Sequence, residues 1–204
     1  MHDVGRLVRD LIDSGRISNP SKPRGRILAV AAKQFCANGY SSTTVRDLAA
    51  EVGILSGSIF HHFKNKEEIL FCVMQEVVLA MDYVLAQSLS ESGTVKQRLR
   101  SLIATELLFI HGTTHNASSV LVSEWRALSS EHQAQVLNSR KSYDGLWLEI
   151  LSQAQREKLI VNDPVLLHKL LHGAMAWSQH WYQPDGTVTM DQLIDQVLNL
   201  AIKE

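Results

Sequence analysis

The chain has 204 residues, 45% of them hydrophobic and 20% charged, with a formal net charge of −1. That composition excludes a disordered chain and suffices for one sizeable core or two small ones. No uninterrupted apolar run approaches the ~20 residues of a bilayer span. Asp3, Arg6, Arg9, Asp10 and Asp13 interrupt anything resembling a secretory leader, so a cytoplasmic protein without a membrane partner is expected. Cys36 and Cys72 supply neither a disulfide framework nor zinc spacing and read as small buried hydrophobes.

In chain order, Val4, Leu7, Val8, Leu11 and Ile12 fall at helical spacing and predict a short amphipathic arm, with a spacer from Ser18 to Pro23. The first core helix is expected from near Arg24, with Ile27, Leu28, Ala31 and Phe35 inward and Asn38-Gly39 as its stop. Thr44 and Asp47 have the spacing of a capping box and open a second helix, which Gly53 ends. A third helix of about two turns is predicted from Ser56 to Phe63. Asn65 and Glu68 repeat the capping pattern and open a long helix with Ile69, Val73, Val77, Met81 and Leu85 inward. Further helices are predicted over Val95–Ile110, Val120–Leu128 (after a polar break, Gly112–Ser119, and begun a few residues before Val120), Ser130–Leu159, Asp163–Tyr182 and Met190–Ile202. Asp163-Pro164 is an N-cap followed by proline at the first helical position. No segment alternates as a strand does, so the fold class is all-α. The expected domains are an arm (1–20), a head (21–66) and a body (67–204).

The near-zero net charge hides a division. Residues 20–66 hold seven basic side chains, Lys22, Arg24, Arg26, Lys33, Arg46, Lys64 and Lys66, against Asp47 and Glu51, a net +5. Residues 67–204 hold 10 basic and 16 acidic side chains, a net −6. A basic head on an acidic body points to a polyanionic partner for the head. The second and third helices, joined by Gly53-Ile54-Leu55, have helix-turn-helix geometry, in which the later helix enters the major groove of double-stranded DNA. Ser56, Gly57 and Ser58 allow close approach to base edges, and Ser and His61 supply hydrogen-bonding groups. Arg46, Lys64 and Lys66 are placed for phosphates, and the Thr44 backbone opens the second helix toward one.

From Arg26 to Leu70 the sequence resembles the DNA-binding domain of the TetR/AcrR family. The resemblance runs through Ile27-Leu28, Ala31, Phe35, Gly39-Tyr40, Thr43-Thr44-Val45-Arg46-Asp47-Leu48-Ala49, Val52-Gly53 and Ile59-Phe60-His61-His62-Phe63-Lys64-Asn65-Lys66-Glu67-Glu68-Ile69-Leu70. It implies a repressor reading a pseudo-palindromic operator, with DNA contacts from Thr43, Thr44, Arg46, Ser56, Gly57, Ser58, Phe60, His61, Lys64 and Lys66. Leu55 stands where the family commonly has a capping Ser, so Ser56 is expected to cap instead. Phe60 stands where a Tyr hydroxyl commonly touches a phosphate.

The resemblance also implies a homodimer through the last two helices, 164–182 and 190–202. Independently, Val165, Leu166, Leu167, Leu170, Leu171, Ala174, Met175 and Trp177 make the first of these apolar around much of its circumference, one face more than a subunit core needs. A small-molecule effector site is expected among Trp125, Arg126, Tyr143, Trp147, Trp177 and Trp181. Ser123-Glu124-Trp125-Arg126 and Trp181-Tyr182-Gln183-Pro184-Asp185-Gly186 are similar to a subgroup controlling fatty-acid and steroid catabolism, which implies an acyl-CoA ligand. His168 and His172 are four apart on one helix, a spacing that can chelate, whereas His111 and His115 straddle Gly112; no Cys or carboxylate cluster completes a metal site, and no cofactor is expected. No nucleophile motif or phosphate loop supports an enzyme. A ligand-dependent activator built from the same parts, and a helical enzyme using His and Glu in the aromatic pocket, are the alternatives.

Overall fold

A computed structural model describes residues 4–90 and 93–203; the first three residues of the predicted arm lie outside that set. In chain order the helices are α1 (Val4–Asp13), α2 (Pro23–Asn38), α3 (Val45–Val52), α4 (Ser56–Ile59) and α5 (Lys66–Ser90). There follow α6 (Val95–His111), α7 (His115–Ser123), α8 (Ser130–Arg156), α9 (Pro164–Trp177) and α10 (Met190–Ala201). The described residues contain no strand, so the fold is all-α. They pack as two compact units. One, called the head below, comprises Gly5–Ala80 and Thr114–Arg140, so it takes in most of the expected arm and residues 67–80 and 114–140 of the expected body; the other, called the body, is built from the described residues of 81–113 and 141–203 with Val4.

In the head, α1 buries Leu7 and Leu11 and closes with Arg16 N donating to Leu11 O. The spacer then folds over the first turn of α2. A Cβ at Gly25 would lie 2.0 Å from Asn19 O, so only glycine permits this crossing. Ser18 donates to Glu76 through both its backbone N–H and its hydroxyl, and the Arg24 guanidinium meets the same carboxylate at 2.8 Å. Pro23 begins α2, which buries Ile27, Leu28, Ala31, Ala32 and Phe35. The capping box at α3 forms in both directions: Asp47 N donates to Thr44 Oγ1, and Thr44 N donates to the Asp47 carboxylate. Gly53, at φ 79°, adopts the left-handed conformation that turns α3 toward α4.

Three helix ends differ from the pattern in the sequence. The expected two-turn third helix is α-helical only over Ser56–Ile59 and then tightens, with His61 and His62 donating to residues three back. Its N-cap is Leu55, without a side-chain hydrogen bond, so Ser56 does not cap. Helix α7 begins at His115, a few residues before Val120 as expected, with Ser118 and Ser119 buried where it packs along α2, but it ends at Ser123 rather than Leu128, and a 3₁₀ turn over Trp125–Ala127 follows. Helix α9 stops at Trp177 rather than near Tyr182. Ser178 Oγ donates to Met175 O, and a 3₁₀ turn follows. By length and composition Lys66–Leu89 could cross a membrane, but 67% of its most apolar window is buried within the protein.

In the body, α10 packs against α6, and α9 contacts both. Asp163 caps α9 by accepting from Leu166 N at 2.8 Å, with Pro164 next, and Thr189 and Gln192 form a capping box on α10. The inward residues expected on α8, Val136, Tyr143, Trp147, Ile150 and Ala154, are all buried.

Candidate nucleic-acid interface and effector site

The reading segment is seated from below. Ile59 and Phe63 are buried, which fixes α4 on the head and turns Gly57, Phe60, His61 and His62 to solvent, with Ser56 and Ser58 half-exposed. Thr44 and Arg46, at the start of α3, are also exposed. Two residues expected on DNA are not at the surface in that sense. Thr43 is only 2% exposed, and its hydroxyl donates to Gly39 O at 2.9 Å, closing the loop before α3. Lys66 is half-buried. Its ammonium donates to Tyr40 O at 2.7 Å and Thr43 O at 2.8 Å and lies 4.0 Å from the Tyr40 ring centroid. Burial pulls its pKa below the ordinary lysine value, with the nearby Glu124 carboxylate opposing. Lys66 thus straps the start of α5 to the loop that delivers α3.

The other cations divide in the same way. Lys33 pairs with Glu51 at 2.8 Å, Arg24 with Glu76, and Arg26 donates to Val52 O at the C-terminus of α3. Lys22, Arg46 and Lys64 stand exposed. The net +5 is real, but much of its donor capacity holds α2, α3 and α5 together. A second strap escaped the sequence reading. The Glu67 carboxylate accepts from Ser129 N at 2.7 Å and His132 Nδ1 at 2.9 Å, and His132 stacks on Phe71. These contacts, the Ser129 N–H first, hold the Glu67 carboxyl below the usual range. Only the Glu67–Glu68 acidic start of α5 hinted at it in the sequence.

The six residues expected around an effector are divided between the two units. Trp125 and Arg126 form a 3₁₀ turn in the head unit. Trp177 and Trp181 are 64% and 53% exposed, and Trp177 shares a face of α9 with exposed Leu166 and Leu170. Tyr143 and Trp147 are buried in the body, and they do meet a polar cluster. Glu106 of α6, itself buried, accepts from the Tyr143 hydroxyl and lies 3.2 Å from His172 Nδ1. The rings of His168 and His172 contact each other and Trp147. Trp147 Nε1 and His172 Nε2 are buried without a hydrogen-bond partner, an arrangement that costs about 1–3 kcal/mol per group unless something fills it. The chelating spacing of His168 and His172 thus serves ring packing, and among the described residues no group of three or more His, Cys, Asp or Glu could hold a metal ion. Elsewhere in the body a cavity of about 200 Å³ is lined by Ser88, Gln97, Arg100, Ser101 and Thr105 among others. The Arg100 guanidinium is engaged there by Asp191 and Asp195.

Residues 27–73 match the family model for bacterial regulatory proteins of the tetR family, and residues 92–204 that for a tetracyclin repressor-like C-terminal domain. The HTH-type transcriptional repressor KstR2 of Mycolicibacterium smegmatis is 27% identical over 190 residues, 91% of each chain. The crystal structure of superantigen pfit superposes with a TM-score of 0.81 at 38% identity, covering 98% of this chain and 100% of that one. That of AibR in complex with isovaleryl coenzyme A and operator DNA does so with a TM-score of 0.81 at 25% identity, covering 88% and 98%. With the helix-turn-helix head in place and more than half of the chain matched by the C-terminal model alone, this protein belongs to the TetR family of bacterial regulators.

Proposed function

We propose that the protein is a transcriptional repressor that binds a pseudo-palindromic operator as a homodimer and is released by a small, lipid-like effector, of which an acyl-CoA thioester is the leading class. The observation that carries the DNA-binding part is the seating of α4: a short, small-residue reading segment held outward by Ile59 and Phe63 behind a fully capped α3. Thr44, Arg46, Ser56, Gly57, Ser58, Phe60, His61 and Lys64 form the DNA surface, while Thr43 and Lys66 hold it in shape. Leu166, Leu170, Trp177 and Trp181 line the dimer face, where exposed apolar side chains want a partner.

The effector's polar group is anchored in the body at Trp147 and His172, whose buried, partnerless nitrogens support a ligand carrying an oxygen function. The names of two relatives support the class: KstR2 is described as a ketosteroid transcriptional regulator, and AibR is solved with isovaleryl coenzyme A. Binding favours a head spacing that no longer fits the half-sites. The protein acts in the cytoplasm and performs no catalysis. A mobility-shift assay on the promoter beside its own gene tests this. Specific binding, relieved by acyl-CoA thioesters, is expected; absence of specific binding at low salt, with or without candidate ligands, overturns it.

A further inference from the structure

Between Gly53 and Phe63 the chain has no arginine, lysine, asparagine, glutamine, aspartate or glutamate. The side chains that read guanine and adenine through paired hydrogen bonds are therefore missing from the whole reading segment. What the segment presents instead is apolar. Leu55 is 81% exposed and Phe60 54% exposed, at the N-cap and C-cap of α4. Neither serves the fold: the core under α4 is closed by Ile59 and Phe63, and Leu55 makes no capping hydrogen bond where a cap is wanted. Between them lie Ser56, Gly57 and Ser58, and a Cβ built on Gly57 would meet no atom within 4 Å. Two large apolar side chains thus flank a small, open surface that a groove can approach closely.

Among the base edges in the major groove, only thymine offers an apolar group, its 5-methyl. We infer that Leu55 and Phe60 read thymine methyl groups, so that each operator half-site carries thymines beneath the two ends of α4. This rests on the DNA-binding reading above. The seryl hydroxyls and the imidazoles of His61 and His62 add hydrogen bonds, but the methyl contacts distinguish thymine from every other base. Withdrawing one methyl from water is worth about fourfold in affinity.

The test begins with selection of duplexes from a random library by the full-length protein. In the enriched operator each thymine is then replaced singly by deoxyuridine, which deletes the methyl and leaves the pairing and the hydrogen-bonding edge intact. Binding is measured by fluorescence anisotropy with the wild type, Leu55→Ala and Phe60→Ala. Both replaced side chains are exposed, and circular dichroism checks that the helices persist. At two positions per half-site the wild type is expected to lose about fourfold on uracil substitution, and each variant to bring the thymine-to-uracil ratio at one of those positions close to one. If no sequence is enriched, the DNA-binding reading itself fails. If an operator is enriched but uracil costs nothing anywhere, specific DNA binding stands and the methyl reading is overturned. If both variants keep the wild-type uracil penalties, other residues read the methyls and the assignment is overturned.

Discussion

Replacing Lys66 by alanine is expected to loosen the head and to leave the ionic part of DNA binding intact. The side chain makes two hydrogen bonds from a charged donor to the carbonyls of Tyr40 and Thr43, at 2.7 and 2.8 Å, and a contact with the Tyr40 ring. Bonds of that kind contribute about 1.5 kcal/mol each at the low end, and a part-exposed cation–π contact about 0.5 kcal/mol. Partial burial of the ammonium, which lowers its pKa, offsets some of this, leaving about 2 kcal/mol. With a denaturant slope of ~2 kcal/mol/M, the urea midpoint of the head should fall by about 1 M. Under native conditions the plot of log affinity against log salt should keep its wild-type slope, because no phosphate contact is lost. Arg46→Ala and Lys64→Ala, which alter exposed cations, should each make the slope shallower by about 2 per dimer. An unchanged urea midpoint together with a slope shallower by about 2 in Lys66→Ala would refute the strap and put Lys66 on a phosphate.

Glu67→Gln tests the second strap. The Ser129 N–H and His132 hold the Glu67 carboxyl below the usual range, so its contribution is present above the ordinary glutamate pKa of ~4.3 and is lost as pH falls through the lower folded value. The variant should lose about 1 kcal/mol at pH 7 and show a flatter acid limb in stability against pH; a limb as steep as the wild type's would count against the strap. Leu170→Glu places a charge on the outward face of α9, where Leu170 is 62% exposed in the single chain. Sedimentation should show a monomer at micromolar concentration with near-wild-type helicity, and a persisting dimer would move the interface elsewhere. Tyr143→Phe deprives the buried Glu106 carboxylate of a donor and should cost about 1–3 kcal/mol in chemical denaturation; no measurable loss would mean that the hydroxyl is not bonded there.

Much of the fold was legible because helical periodicity and capping boxes are local signals. Thr44 with Asp47, Asp163 with Pro164 and the inward stripe of α8 are all found where the spacing puts them. Helix ends were less legible where tertiary contacts decide them. Nothing local in Ser118-Ser119 announces burial against α2, and where α9 ends the Ser178 hydroxyl meets His111 of α6 at 2.7 Å. Exposure was legible where it follows from helix phase, as at Gly57, Phe60 and His61. It was not legible where a polar side chain has a backbone partner distant in sequence. Thr43 and Lys66 look like DNA contacts in the sequence because Gly39 O, Tyr40 O and Thr43 O carry no sequence signature. Nor does the sequence announce that the Trp147 ring meets His172 of α9, or that His172 in turn lies beside Glu106 of α6.

The division of labour among the head's cations has a physiological side. Lys22, Arg46 and Lys64 stand exposed in each head, so a dimer that sets all of them on phosphates releases about five counterions on binding. Doubling the ionic strength then lowers operator affinity about 30-fold, since affinity varies as roughly the fifth power of salt. An osmotic upshift therefore pushes this repressor off its operator in the same direction as its effector. Growth conditions and metabolite level become two inputs to one gene, and transcription measured at a fixed effector concentration but varied osmolarity should reveal both.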